Sequence, residues 1–170
     1  SLSKAYRSCG YRAGWMVISG DKAAARDYIE GLNMLANIKL GSNVPGQWAI
    51  QTALGGYQSI NDLVKEGGRL RRQRDLAYGL ITQIPGVTCV KPQGSLYMFP
   101  RLDPKIYPIE NDRQFFKELL EATRVLLVQG TGFNWPHPDH FRLVALPEES
   151  VLREAVGRIA EYCEETRVID

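Results

Sequence analysis

Ser1-Leu2-Ser3-Lys4 is followed by Cys9-Gly10-Tyr11-Arg12-Ala13-Gly14-Trp15, so that an arginine between glycines stands eight residues after a lysine. A lysine on a small, hydroxyl-rich turn is open to desolvation, and a desolvated amine is a nucleophile that holds an aldehyde as a Schiff base. A guanidinium grips a phosphate through two parallel hydrogen bonds. Ser1 and Ser3 offer hydroxyl donors, and Gly10 and Gly14 let the backbone approach closely. An aldehyde that carries a phosphate satisfies both ends of this arrangement, and pyridoxal phosphate is such a molecule. On that reading Lys4 is the catalytic, cofactor-bearing residue, with Ser1, Ser3 and Arg12 around the phosphate. A catalytic lysine at position 4 also carries the expectation that chain belonging before it is missing. Taken alone, a lysine after two serines is far more often a surface residue; the serines, glycines and Arg12 around Lys4 are what favour the cofactor reading.

Outward from this stretch, Trp15-Met16-Val17-Ile18 reads as a short strand closed by Ser19-Gly20-Asp21. Asp21 is a cap for a helix over 22–39, with Ala25, Tyr28, Ile29, Leu32 and Leu35 at helical spacing. Gly41 to Gly46, with Pro45, is a breaker segment, and a second helix starts at Gln47. A third helix runs over 69–84 and stops at Pro85-Gly86. From there the texture changes. Val87 to Val90 and Ser95 to Phe99 read as strands joined by Lys91-Pro92-Gln93-Gly94, and a turn-rich stretch leads to a helix over 113–123. Val125 to Val128 and Phe141 to Leu146 read as two more strands. An amphipathic helix over 148–165 follows, carrying Leu152, Val156, Ile159 and Tyr162. Strands then helix, twice over, make an α+β layer from about Gly86 onward. The first 40 or so residues read as the tail of another layer.

Composition narrows the function. The 170 residues suffice for one domain or slightly more, with 44% hydrophobic and 24% charged residues, as in ordinary globular protein. A formal net charge of +2 gives no footprint for nucleic acid or a membrane surface. Arg69, Arg71, Arg72 and Arg74 cluster without aromatic neighbours and read as a solvated helix face. Three cysteines, Cys9, Cys89 and Cys163, with no CxxC spacing, fit neither a disulfide framework nor a zinc site and point to a reducing compartment. No basic-then-apolar leader is visible, and no apolar run approaches the roughly 18 residues of a membrane span.

Arg142 interrupts the otherwise apolar strand Phe141-Arg142-Leu143-Val144-Ala145-Leu146. Strand alternation sets it on one face with Val144 and Leu146, where a charge is costly unless paired. Three readings stand open: an edge position, an ion pair with an acid such as Asp139, or a fork for a substrate carboxylate. The Gly130-Thr131-Gly132-Phe133-Asn134-Trp135-Pro136 loop follows a strand directly and reads either as the wall of a pocket or as a plain turn with a buried aromatic. His137 and His140 lack a third ligand at useful spacing and read as surface or supporting residues.

These residues together resemble the pyridoxal-phosphate-dependent class I/II aminotransferases, the fold type I group. Ser1 through Trp15 is similar to that family's lysine segment. Pro92-Gln93-Gly94-Ser95-Leu96-Tyr97-Met98 resembles its Pro-x-Gly-small-x-aromatic strand. Val128-Gln129-Gly130-Thr131-Gly132-Phe133 resembles its Pro-Gly-x-x-Phe loop, with Gln129 where proline is usual. Phe141-Arg142-Leu143 matches the strand bearing the arginine for the substrate α-carboxylate. Within the family, the 39–45, 51–58 and 128–135 stretches look like the bacterial glutamate–pyruvate (alanine) branch. Aspartate-type members place an arginine four residues before the Ser-Asn pair; here that position is Ile38, so the contact for a second carboxylate is absent.

The resemblance implies an α/β fold: an α+β small domain with an antiparallel sheet and flanking helices, plus the tail of the large domain. Residues 1–46 would belong to the large cofactor-binding domain, 47–85 to connecting helices and 86–170 to the C-terminal small domain. It implies that Lys4 is the Schiff-base lysine and proton carrier, that Ser1 and Arg12 hold the cofactor phosphate with Ser3 as a further hydroxyl, and that Arg142 binds the α-carboxylate. It implies a homodimer in which Ser42-Asn43 reaches the neighbouring subunit's site, a cytoplasmic location, and an amino acid and a 2-oxo acid as substrates, with alanine and 2-oxoglutarate expected. The family's other site residues lie upstream of the lysine, so the expectation is a transaminase at full length and a 170-residue piece inactive alone. Trp15 to Ile18 would then be an orphan strand, disordered, repacked or paired with another copy. The competing functions are another fold type I reaction, a carbon–sulfur lyase or decarboxylase, and a non-catalytic dimerisation or interaction module.

Overall fold

In the computed structural model, which describes residues 1–168, the chain divides into two units, Ser1–Asp62 and Leu63–Asp170. In the first unit the backbone of Leu2 pairs with that of Ala13, its N–H donating to the Ala13 carbonyl at 3.0 Å, so the opening residues close into a loop. The Asp21 carboxylate accepts from the Ala23 N–H at 2.9 Å and starts a 3-10 turn, Ala23–Ala25. Helix α1, Arg26–Lys39, follows. Its apolar residues recur at helical spacing as expected, yet none of its residues is buried. Helix α2, Val44–Gly55, begins earlier than Gln47. Asn43 caps it, accepting from the Gly46 N–H at 3.1 Å, and Pro45 sits in the first turn, where a missing N–H costs nothing. A short helix, α3 at Ile60–Val64, is an element the sequence did not announce.

The expected strand at Trp15 to Ile18 is not formed. These four residues have no regular structure, and Val17 is 80% exposed. A strand needs a neighbour to take its backbone hydrogen bonds, and no strand lies beside this stretch among the described residues.

The second unit holds the hydrophobic core. Helix α4, Arg69–Ile81, buries Gln73, Ala77 and Ile81, one residue per turn. It stops short of Ile84 because the Thr82 hydroxyl donates back to the Tyr78 carbonyl and Gly86, at φ +75°, turns the chain. Strands β1 (Val87–Thr88), β2 (Tyr97–Met98) and β3 (Arg101–Leu102) come next. Helix α5, Asp112–Thr123, strand β4 (Val128–Gln129), strand β5 (Phe141–Val144) and helix α6, Glu149–Thr166, complete the unit. The two stretches joined by Lys91 to Gly94 do not pair with each other. β1 pairs with β3, Val87 opposite Leu102, and β2 pairs with β5, in a second sheet of order β2-β5-β4. All pairings are antiparallel. α6 buries Leu152, Val156, Ile159, Tyr162 and Cys163 against α4 and α5, so the four apolar positions read from its periodicity face the core. The architecture is α/β, a small antiparallel sheet with helices packed on it, and it sets Arg142 in the middle strand.

Among the described residues no helix is long and apolar enough to cross a membrane. Of the α4 arginines, Arg72 pairs with Glu149 at 3.0 Å at the surface, and the part-buried Arg74 pairs with Asp75 at 2.8 Å. All three cysteines are free thiols.

Candidate active site

Lys4 sits in an exposed turn whose carbonyl accepts from the Arg7 N–H at 3.1 Å. Its amine has no hydrogen-bond or ion-pair partner among the described residues. The turn is held from two sides. Below it, the Ser8 N–H donates to the Leu2 carbonyl at 2.9 Å, and Leu2 is buried. Beside it, the Tyr6 hydroxyl donates to Gln58 Oε1 at 3.0 Å, and the Arg7 guanidinium donates to the Ser59 hydroxyl. Gln58 in turn donates to the Ala53 carbonyl at 2.8 Å, which ties the lysine turn to the end of α2.

Ser1 and the Arg12 turn are brought together by the Leu2–Ala13 backbone bond and by Gly14. A Cβ added at Gly14 would stand 2.9 Å from the Cβ of Ser1, so only glycine admits this approach. Ser1 Oγ accepts from the Ser3 N–H at 3.4 Å. Arg12 is exposed, adopts a left-handed backbone at φ +48°, and donates through its guanidinium to the Cys9 carbonyl at 3.0 Å. The start of α2 leans on the same turn: Asn43 Nδ2 donates to the Tyr11 carbonyl at 3.4 Å, and a Cβ at Gly46 would meet that of Ala13 at 2.8 Å. Two hydroxyls, a guanidinium and an unpaired amine are thus carried on one closed loop, whose ends approach so closely that a larger residue at position 14 would collide with Ser1. Such a loop fits a phosphate-bearing aldehyde.

Arg142 lies on β5 in the second unit. Its partner is not Asp139, which disposes of the ion-pair reading: Asp139 accepts from Arg101 Nε at 2.8 Å, from Trp135 Nε1 at 3.0 Å and from His140 Nδ1 at 2.7 Å. Burial works to raise the Asp139 pKa, but the hydrogen bonds from Arg101, His140 and Trp135 and the His140 charge outweigh it and hold the carboxyl well below the usual carboxylate range. Arg142 instead has two rings on its guanidinium, Phe133 at 4.8 Å and Tyr97 at 5.1 Å. Its Nε is buried with no hydrogen-bond partner, and no carboxylate pairs with it among the described residues. Among the described residues Arg142 is also the one charged residue lining a cavity of about 550 Å³, whose other lining includes Val128, Val144, Leu146 and Ile159. A planar cation left unpaired beside apolar surface is suited to a carboxylate.

The comparisons with known proteins bear on this chemistry. A family model described as "Aminotransferase class I and II" matches residues 1–159. The chain belongs to this aminotransferase family. It is 56% identical over 166 residues to the glutamate-pyruvate aminotransferase AlaA of Haemophilus influenzae, covering 98% of this chain and 41% of that protein. It is also 56% identical over 161 residues to an alanine aminotransferase of Mycobacterium tuberculosis, covering 95% of this chain and 38% of the relative. A crystal structure of an aminotransferase from Escherichia coli superposes with a TM-score of 0.90 at 52% identity, over 99% of this chain and 42% of that one. The chain therefore spans about two-fifths of the length of the aminotransferases it matches.

Around Arg142 the sequence reading left out some residues and placed others only loosely. Tyr97 stands opposite Val144 in the β2–β5 register, which makes it the diagonal neighbour of Arg142 on the same sheet face. Strand alternation would have found it had the pairing been known. Asp112, buried in the first turn of α5, accepts from the Thr131 N–H at 3.0 Å and the Thr131 hydroxyl at 2.7 Å. Next to Asn111 it reads as an ordinary helix-start acid, and nothing local announces a partner nineteen residues on. His140, read as a supporting residue, stacks on Phe99 with ring centroids 4.8 Å apart and is nearly buried.

Proposed function

We propose that the whole protein is a pyridoxal-phosphate-dependent aminotransferase that exchanges an amino group between alanine and 2-oxoglutarate, and that this chain supplies its lysine and its carboxylate-binding arginine. The observation that carries the reading is the closed loop of Ser1 to Gly14, which carries an unpaired amine, two serine hydroxyls and a guanidinium on one backbone turn drawn shut by the Leu2–Ala13 bond and the close approach of Gly14 to Ser1. In this assignment Ser1, Ser3 and Arg12 hold the cofactor phosphate and Lys4 is the residue that bonds the aldehyde. When bound, the cofactor's pyridine ring accepts the electrons released at the amino acid's α-carbon.

The chain's own residues do the rest. The two terminal nitrogens of Arg142 grip the α-carboxylate and orient the α-carbon. Lys4 Nζ takes the α-proton as general base and then gives it back as general acid, the two acts of a 1,3-proton shift. The two half-reactions use one site in turn, which gives ping-pong kinetics. The preference for a monocarboxylate amino acid is supported by Ile38, which offers no charge where aspartate-type enzymes use an arginine, and by the alanine aminotransferase names of the relatives. The assignment of 1–46 to the large domain, 47–85 to connecting helices and 86–170 to the small domain goes with this reading, as do a cytoplasmic homodimer with Ser42-Asn43 at the neighbouring site and the inactivity of the 170 residues by themselves.

The test is a coupled assay of the whole protein with alanine and 2-oxoglutarate, together with borohydride trapping of added pyridoxal phosphate and peptide mapping. Pyruvate forms, the trapped adduct maps to Lys4, and Lys4→Ala loses the adduct and more than about a thousandfold of the activity. Absence of pyruvate sinks the alanine assignment. An adduct of equal yield in Lys4→Ala sinks the role of Lys4.

A further inference from the structure

Arg142 is held in an unusual way for a cation on a half-buried strand. No acid fixes it, and its guanidinium is placed by Tyr97 and Phe133 instead. Tyr97 belongs to β2 and is fixed by strand pairing. Phe133 is not on a strand. It ends a 3-10 turn, Gly130–Phe133, and without anchors such a turn would let the ring leave the guanidinium.

The anchors are two buried carboxylates, one at the start of that turn and one holding Trp135, two residues past its end. Asp112, 3% exposed, grips Thr131 twice, through its N–H and its hydroxyl. Asp139, 8% exposed, takes the indole N–H of Trp135, and it is itself fixed by Arg101 and His140. Between them the backbone closes on itself, with the Gly130 N–H donating to the His140 carbonyl at 2.7 Å and the Trp135 N–H to the Gly130 carbonyl at 3.3 Å. A Cβ at Gly130 would stand 2.8 Å from the His140 carbonyl oxygen, so the turn is pressed onto the strand. Neither aspartate touches Arg142 in the structure.

We propose that Asp112 and Asp139 are positioning residues for Arg142: by clamping the two ends of the Gly130–Trp135 turn they set Phe133 against the guanidinium and so aim it at a substrate carboxylate. The carboxylate part rests on the aminotransferase function proposed above; the clamp itself does not. Phe133 and Tyr97 hold the cation without neutralising it, which leaves its terminal nitrogens to the substrate. An aspartate in direct contact would compete with the substrate for the same nitrogens.

The experiment is the ¹⁵N–¹H signal of the Arg142 Nε–Hε group in the whole protein, assigned by its loss in Arg142→Lys. Lying against two rings and buried, it is expected upfield of the exposed arginines and slow to exchange with solvent. Asp112→Ala moves it to the position of an exposed arginine although Asp112 is not in contact, Phe133→Leu does the same, and Asp112→Asn, which keeps an oxygen for the Thr131 N–H, restores it. In the alanine assay, Asp112→Ala raises KM for both substrates about tenfold while kcat changes less than about threefold. An unmoved signal in folded Asp112→Ala overturns the proposal. Should that variant fail to fold, Trp135→Phe, which keeps a ring but lacks the indole N–H, carries the test in the same way, and an unmoved signal there overturns it too. A wild-type signal that is shifted and protected in a protein without transaminase activity upholds the clamp and refutes the function. Activity with a signal indistinguishable from exposed arginines does the reverse.

Discussion

Asp139 is where single-residue chemistry is most concentrated in this chain. Its carboxylate accepts from a guanidinium, an indole and an imidazole, and hydrogen bonds to a charged acceptor are worth about 1.5–3 kcal/mol each at most. Arg101 is half exposed, so solvent screening discounts its share. Because the folded carboxyl titrates below its unfolded value of about 3.9, its stabilisation is complete above that pH and is lost as pH falls from there through the folded value. Asp139→Asn is therefore expected to lower stability by about 2 kcal/mol at pH 7. The gap between mutant and wild type should shrink steadily below about pH 4, read from urea midpoints across the series. A gap that is constant down to pH 2 would mean the charge contributes nothing. The sequence named Asp139 only as one acid near Arg142. It could not tell which of two arginines the acid would meet, because Arg101 reaches it from another strand.

Among the elements, α6 was the most legible, since every apolar position read from its periodicity is buried, and α1 shows the limit of the same reasoning. Periodicity reports which residues share a face; it does not report whether that face is covered. Strand partners were equally out of reach, because the link between Val90 and Ser95 looked like a connection between neighbours, while β1 and β2 each pair with strands further along the chain. The packing of α6 also sets an alkaline limit. Burial pushes the Cys163 thiol up to about 11 against a lowering contribution from Tyr107, and burial with Cys163 beside it pushes the Tyr107 phenol up to about 12. Both groups are held neutral, so their contribution is complete below their unfolded values of about 8.5 and 10 and disappears as pH rises through the folded ones. Stability of the second unit, followed by circular dichroism, is expected to fall between about pH 9 and 12. Cys163→Ala and Tyr107→Phe together should flatten that fall, and an unchanged slope would show that other groups set it.

At the level of the molecule, the two units differ in how they are built. The second has a core of buried apolar side chains, whereas in Ser1–Asp62 only Leu2 and Gly46 are buried among the described residues. The closed loop around Lys4 is held by hydrogen bonds and a single buried apolar side chain, Leu2, so local opening costs less there than in the second unit. In this 170-residue chain the amides of α1 are expected to exchange with deuterium at least about a hundredfold faster than the buried amides of α4 and α6. Equal protection would show that the first unit is stabilised by more than its visible contacts. The family and the lysine could be read from residues at either end of the chain, because motif chemistry is local. The Phe133 clamp could not, because it joins α5, a loop and a strand tip. Strand order carries one last consequence, for biosynthesis. β5 is the middle strand of β2-β5-β4 yet the last of the three in the chain, and α6, which follows it, is the surface on which α4 packs. A ribosome delivers both outer strands before the strand that joins them, and α4 before its packing surface. Until β5 emerges neither β2 nor β4 has its partner in this sheet, so the sheet is expected to close late and through non-local contacts.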